Sequence, residues 1–428
     1  MAEIIEVFAR EILDARGVPT IEVEVGLADG VSACASVPTG ASVGIHEAAE
    51  SRDKDLRRYG GKGVQKAVSA IEEIIAPEIT GIYAKDQDLV DKVMCHIDDT
   101  ENKAMIGANA ILAVSLATAK AAAKSMQQPL FRYLGGIQAN SLPVPLCAII
   151  AGGSHVDNDL DFEEFSIAPV GLPSFREGIR AVAEITHAMR AILHEKGLST
   201  AIADEGAFAP AISHSTEALD LIMYAIAKAG YVPGQDIYIG VDCAASEVFC
   251  QNDKIYELRG EGANLSTQAL KEYYLKTLRN YPIIAVEDPF EQNDWAAWQE
   301  FMKLDLSFHI LGDDIFSTTP ARIRKGIALH AADGTTIKPN QIGTLTETLD
   351  AVRTAQRGGM MAVVSHRTGE TEDTFIADLA VATNCHLFKA GGLARAERVV
   401  KYNRLMRIEE VLGEDAAYIG KFALKSHS

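Results

Sequence analysis

Six ionisable residues recur at regular intervals along the latter part of this 428-residue chain: Asp242, Glu287, Asp313, Lys338, His366 and Lys389. Each closes or directly follows a short apolar run, in "IYIGVDCA", "IIAVEDP", "HILGDDI", "GTTIKPNQ", "MAVVSHRTGE" and "HLFKAGG". The successive gaps are 45, 26, 25, 28 and 23 residues. Three carboxylates brought together repel strongly unless a cation sits among them. A ligand set of oxygens alone, with no His or Cys, suits a hard cation such as Mg²⁺ and disfavours zinc. Lys338 and Lys389 follow apolar runs, where burial and a nearby metal ion both lower an ammonium pKa and expose a neutral amine as a base. In "VSHRTGETEDTF", His366, Arg367 and Thr368 combine a guanidinium fork, a hydroxyl and backbone N–H groups suited to phosphate or carboxylate oxygens. A lysine base beside carboxylate-bound Mg²⁺ points to proton abstraction next to a carboxylate, the ene-diolate charge being met by metal.

A second acidic feature is "STAIADEGAFAP", where Asp204 and Glu205 stand side by side among small and apolar residues with no Lys or Arg between Thr200 and Pro210. Most such acids occupy solvated loop tips. A carboxyl group in a small apolar pocket can instead hold a proton and serve as an acid.

The elements that must position these groups follow from periodicity. "PTIEVEVGLADGVSACASVP" alternates around Ala-Asp-Gly and reads as a hairpin. From Lys62 to Gln127 apolar residues recur at helical spacing. From about residue 140, apolar runs alternate with helical stretches, which predicts parallel strands with crossover helices. A βα unit of a barrel uses about 30 residues. An acid after one strand is usually a helix cap or a turn residue. Six ionisable groups in phase instead place one at each strand's C-terminal end, where a (β/α)8 barrel builds its active site. The longest gap leaves room for an extra helix, "STQALKEYYLKTLRN". The expected division is an α+β domain over residues 1–138 and a catalytic αβ barrel over 139–428.

A formal charge of -19 argues against a nucleic-acid partner and against docking on anionic lipid. The charged N-terminal stretch "MAEIIEVFAREILDARG" does not read as a secretory signal. "AMIGANAILAVSLATA" is short and rich in Ala, which favours a buried helix over a membrane span. The six cysteines lack CxxC or zinc spacing and read as reduced, mostly buried thiols of a cytoplasmic protein.

Taken together, these motifs resemble the enolase family. The resemblance spans nearly the whole chain, through "REILDARGVPTIEVEV", "GASVGIHEA", "GANAILAVSLA", "PLFRYLGG", "GGSH", "EEFSIAP", "ADEGAFAP", "VDCAASE", "VEDPFEQNDW", "GDDIFSTT", "IKPNQIGTLTET", "SHRTGETEDTFIADLA" and "ERVVKYNRLMRIEE". A lysine base with magnesium-stabilised ene-diolate chemistry is the arrangement for which that superfamily is known. The resemblance implies an α/β chain, with an N-terminal α+β capping domain followed by an enolase-type eight-stranded αβ barrel. It implies reversible dehydration of 2-phosphoglycerate to phosphoenolpyruvate, with two Mg²⁺ per active site, the second binding with substrate. Lys338 would remove the C2 proton; Glu205, assisted by Glu164, would protonate the departing C3 hydroxyl. Asp242, Glu287 and Asp313 would hold the first Mg²⁺, and Ser42 the second. Arg367 and Thr368 would bind phosphate, while His155, His366 and Lys389 would contact substrate. The implied partner is a small phosphorylated acid, and the implied assembly a homodimer or an octamer.

Several neighbours of these positions depart from the family pattern. Ala151 stands where the family has Asn, Glu163 where it has Gln, and Ala203 and Ala207 where it has Gly. Thr368 replaces a serine, Val43 a threonine, and "AGGLARAER" follows Lys389 in place of the Thr-Gly and Ser-x-Ser-Glu-Arg pattern. If the backbone at 203 and 207 needed a positive φ, alanine would force the Glu205 loop to shift. The rival readings are a divergent paralogue acting on another phosphorylated hydroxy acid and a non-catalytic binding protein, for example at a cell surface.

Overall fold

The computed structural model describes residues 2–41 and 43–425, and for His155 the backbone only. The chain opens with a three-stranded antiparallel sheet: β1 (Ile4–Leu13), β2 (Pro19–Leu27) and β3 (Ser32–Ser36). On β2 every second residue, Ile21, Val23, Val25 and Leu27, is buried, so the alternation read from sequence turns one face inward. That face packs on helix Ala108–Ser125, which is buried on almost all sides. An Ala-rich helix with no polar face is the expected solution for such a place. Gly107, at φ +108, starts it where a Cβ would lie 2.4 Å from the Ser51 side chain.

A short strand β4 (Ser141–Leu142) leads into the barrel. The barrel strands are β5 (Val144–Ala151), β6 (Glu164–Ala168), β7 (Tyr238–Asp242), then, after a meander, β11 (Ile283–Glu287), β12 (His309–Gly312), β13 (Gly334–Ile337), β14 (Met361–Ser365) and β15 (Leu387–Lys389). They close in the ring order β11-β12-β13-β14-β15-β5-β6-β7. The meander consists of β8 (Phe249–Cys250), β9 (Ile255–Leu258) and β10 (Ala263–Leu265). Strand β16 (Ala417–Tyr418) pairs with β4.

Two expectations are corrected. The strands are not all parallel: β6 runs antiparallel to both β5 and β7. The connection 152–163 holds no α-helix, only a single 3-10 turn at Gly153–His155, so the chain turns straight back on itself. The stretch read as helical in the longest gap is a helix, but not an additional one. Helix Thr267–Leu278 is the ordinary crossover between β7 and β11, and the meander takes up the additional length.

The two ends of the barrel differ. Inside, Leu146, Ile284, Leu311, Val363 and Leu387 pack together, and the C-terminal residues Ile419, Ala423 and Leu424 close the lower end. At the opposite end the N-terminal layer is bound down by polar links. Ala48 N donates to Gln341 O at 2.8 Å, Ser36 N to Asp373 Oδ2 at 2.9 Å, and Thr346 N to Asp91 Oδ2 at 2.9 Å. No helix among the described residues is long and apolar enough to cross a membrane.

At the closed end, His309 Nε2 meets Ala423 O at 3.2 Å, and its Nδ1 has no partner. Burial holds this ring below its ordinary pKa; Asp333 opposes that, while Lys425 and His386 add to it. The unfolded chain therefore takes up more protons below about pH 6.5. This contribution to stability is complete above that pH and is lost as pH falls through it. His309→Gln, which keeps a donor for Ala423, is expected to lessen the drop in Tm between neutral and mildly acidic buffer. An unchanged drop in a calorimetric comparison would reject the assignment.

Candidate active site

All six phased residues reach the same end of the barrel. Asp242, Glu287 and Lys389 are the last residues of β7, β11 and β15. Asp313, Lys338 and His366 directly follow β12, β13 and β14. Glu164 joins them from the reversed strand, as the first residue of β6, paired in register with Asp242 and Ala151. A strand running the other way presents its N-terminal end at the mouth, so the sequence phase that located the six could not include it.

Lysines meet the carboxylates here. Lys389 Nζ lies 2.8 Å from Asp242 Oδ2 and 2.5 Å from Glu287 Oε2, and Lys338 Nζ pairs with Asp313 Oδ2. Thr336 Oγ1 donates to Glu287 at 2.7 Å and Gln341 Nε2 to Asp313 at 2.8 Å. Asp288 accepts from the backbone N–H groups of Asp313 and Asp314, both at 2.9 Å, and so anchors the loop after β12. Among the described residues, Asp242, Glu287 and Asp313 are not drawn into one tight carboxylate cluster; the groups that are so drawn are Glu164–Glu205–His366 and Asp288–Asp313–Asp314.

The electrostatics follow from burial and pairing. Burial, with Asp242 adding, pushes Glu287 up to about 7. Burial pushes Glu164 up to about 8, against the pull of Lys389. Asp313 is equally buried, yet Lys338 beside it holds it below the usual carboxylate range. The expectation of a lowered lysine pKa is not met in this arrangement. Burial does press Lys338 and Lys389 downward, but Asp313 and Glu287 around the first, and Asp242 and Glu287 around the second, outweigh it and raise both.

Asp204 and Glu205 part company. Asp204 is exposed, the ordinary loop acid, whereas the Glu205 side chain is only 12% exposed. Thr368 Oγ1 donates to Glu205 Oε1 at 2.8 Å, and His366 Nε2 lies 3.8 Å from Oε2. The alanines sit in this loop without backbone strain. Ala203 and Ala207 are absent from the positive-φ positions, while Gly206 between them takes φ +88. The two methyl groups pack with Ala148 and Ala151 in one small apolar cluster, so three departures from the family pattern share a single patch. The fourth, Glu163, lies close by, its carboxyl held well above the usual range by burial and by Asp242, Glu205 and Glu247.

Arg367 is buried and forked on Glu47, with Nη1 at 2.7 Å and Nη2 at 3.2 Å, and Nη1 also reaches Asn340 Oδ1 at 3.2 Å. Glu47 belongs to the quoted "GASVGIHEA" block but was not singled out. Gln341, Asn340 and Glu370 were likewise missed: their partners Asp313, Arg367 and Lys401 lie on other elements, and nothing in the local sequence marks the pairing. Ser42 lies outside the described residues, and so does the side chain of His155. Cys243 is a buried thiol pushed well up by burial, as expected of a core residue. Cys147 and Cys385 are buried too, but Cys34 is exposed, against the expectation of mostly buried thiols.

The fold and mouth define a class: an αβ-barrel enzyme whose strand ends gather carboxylates, lysines and a histidine, beneath an N-terminal α+β layer. The family profile described as "Enolase, N-terminal domain" matches residues 4–134, and "Enolase, C-terminal TIM barrel domain" matches 139–427. An enolase from Beutenbergia cavernae is 51% identical over 424 residues, covering 99% of each chain. The chain belongs to the enolase family, the phosphopyruvate hydratases.

Proposed function

We propose that this protein interconverts 2-phosphoglycerate and phosphoenolpyruvate with Mg²⁺, as a cytoplasmic enzyme of glycolysis and gluconeogenesis. The observation that carries the reading is the arrangement around the ring. Lys338 follows β13 and Glu164 begins β6, four strands apart in a closed ring of eight, so a base and an acid would face each other across the mouth. Asp242, Glu287 and Asp313 fill one arc between them, on the adjacent strands β7, β11 and β12. His366 and Lys389 fill the other, on β14 and β15.

In this reading Lys338, as a free amine, takes the C2 proton of the substrate. Its electrons return to form the C2–C3 double bond as the C3–O bond breaks, and Glu205 gives the departing hydroxyl a proton, so that water leaves. Burial favours the protonated form of Glu164, pushing it up to about 8, and its carboxyl lies near that of Glu205, which it would refill. Lys389 and His366 would contact the substrate, and Arg367 and Thr368 its phosphate, with His155 assigned by family likeness.

The donor set fits magnesium: Asp242, Glu287 and Asp313 offer carboxylate oxygens only, and their charge already calls two ammonium groups to the site. A bound ion would supply positive charge beside the substrate carboxylate as negative charge builds there. The proposal of a second ion held through Ser42 rests on the family alone. A homodimer is supported by β1, an edge strand that leaves Ile5, Phe8 and Leu13 exposed. The division into a capping unit, 1–138, and a catalytic barrel, 139–428, goes with the same reading.

Purified protein given 2-phosphoglycerate and Mg²⁺ is expected to raise ultraviolet absorbance as the enol forms, and chelation of the metal to stop it. No product at high protein concentration would overturn the reaction.

A further inference from the structure

Helix Ala396–Leu412 buries a stripe formed by Arg398, Lys401, Tyr402, Leu405, Ile408 and Leu412. Two cations on an apolar stripe need partners. Lys401 Nζ finds Glu370 Oε2 at 2.7 Å and the carbonyl of Thr371 at 2.6 Å. Arg398, 0% exposed, reaches into the site itself. Its Nη1 donates to the Arg367 carbonyl at 2.6 Å and to Nδ1 of His366. Its Nη2 donates to the Thr368 carbonyl at 2.5 Å and, at 3.4 Å, to that of Asp204. Nε faces Glu397 Oε1 at 3.3 Å. One side chain thus joins the loop 366–368 to the loop that carries Glu205.

Gly391 makes room for this junction. It takes φ +78, and a Cβ on it would stand 2.4 Å from the Glu205 carbonyl, 3.1 Å from Arg398 Cδ and 3.3 Å from His366 Cε1. Gly392 N then donates to the Glu205 carbonyl at 2.7 Å. The contact between Arg398 and His366 is therefore built into the backbone rather than made by a mobile surface side chain.

A guanidinium has N–H donors and no acceptor, and it stays charged in proteins. A ring nitrogen facing it must be the one with the lone pair. The ring's single proton is then on the other nitrogen, Nε2, which faces Glu205 Oε2 at 3.8 Å. Burial also pushes His366 well below its ordinary pKa; Glu205 opposes this and Arg398 adds to it.

We propose that Arg398 is a positioning residue that fixes His366 as the neutral Nε2–H tautomer, a standing hydrogen-bond donor aimed at Glu205 and the substrate. The kinetic part of this proposal rests on the function proposed above; the tautomer does not.

The test is a ¹⁵N spectrum of the full-length protein labelled at histidine, with His366→Gln used to assign the ring. Nδ1 is expected to show a pyridine-type signal and Nε2 a pyrrole-type signal from about pH 6 to about pH 8. Arg398→Met should mix the tautomers and lower kcat by about 10- to 100-fold, with KM moving less than kcat. Arg398→Lys, also a donor without an acceptor, should restore the ring signals and part of kcat. A protonated Nδ1 in the unaltered protein overturns the proposal and requires no variant to fold. Unchanged ring signals in folded Arg398→Met overturn it equally. The expected spectrum in a protein that makes no phosphoenolpyruvate would instead reject the reaction and leave the tautomer assignment standing.

Discussion

Lys338→Ala is expected to abolish exchange of the substrate's C2 hydrogen with solvent and to lower kcat by about 10³- to 10⁴-fold, the upper part of the range for loss of a positioned base. Lys338 follows β13, half-buried, with its ammonium against Asp313. It is charged in that pairing, so Asp313 must be neutralised by another cation before the amine can accept a proton. Two further consequences follow. Without metal, removal of Lys338 leaves Asp313 buried with Gln341 as its remaining side-chain donor, and breaking a buried pair costs about 3–5 kcal/mol. With metal, the same vacancy removes a competing cation, so added Mg²⁺ should return a larger share of Tm to Lys338→Ala than to the parent. Isotope exchange followed by mass measurement reads the chemistry, and a thermal melt with and without Mg²⁺ reads the pairing. An exchange rate equal to that of the parent would remove Lys338 as the base, whatever the melt gives.

The phase of Asp242, Glu287, Asp313, Lys338, His366 and Lys389 was legible because a barrel repeats: each parallel strand delivers its last residue to one rim. Strand direction was not legible. An apolar run such as that of β6 has the same pattern whichever way it runs; it is reversed because 152–163 holds no crossover α-helix, only a 3-10 turn. Glu164 therefore rested on family likeness, although its place opposite Asp242 follows at once from the reversed strand. Long-range pairings were beyond local pattern as well. Glu47 grips Arg367 across 320 positions of sequence. Arg398 left a trace that could have been used, since it falls on the buried stripe of its own helix where a solvated cation would not. In sequence Ala151 stands about 50 positions away from the pair Ala203 and Ala207. In space they are one patch of methyl groups in mutual contact, with no positive φ at either 203 or 207.

That patch bears directly on Glu205→Gln, which is expected to slow loss of the C3 hydroxyl by about 10²- to 10³-fold while C2 exchange falls much less. The amide preserves the shape of the side chain and can still accept from Thr368 Oγ1, so the change removes the acid with little else. The loop holds its position through backbone links that do not involve the carboxyl: Ala203 N to Ala207 O at 2.9 Å, Phe208 N to Ile149 O at 3.0 Å and Gly392 N to Glu205 O at 2.7 Å. Asp204→Asn is the matched control, because that neighbouring acid is exposed and should leave both rates near those of the parent. The ratio of exchange to dehydration is the decisive quantity. Were exchange and dehydration to fall together in Glu205→Gln, Glu205 would be acting on the C2 proton or on substrate placement, and protonation of the leaving group would pass to Glu164, already held up to about 8 on the opposite side of the mouth from Lys338. A rise in the ratio separates the two half-reactions between the two faces of the barrel mouth, which is the division of labour that the ring order supports.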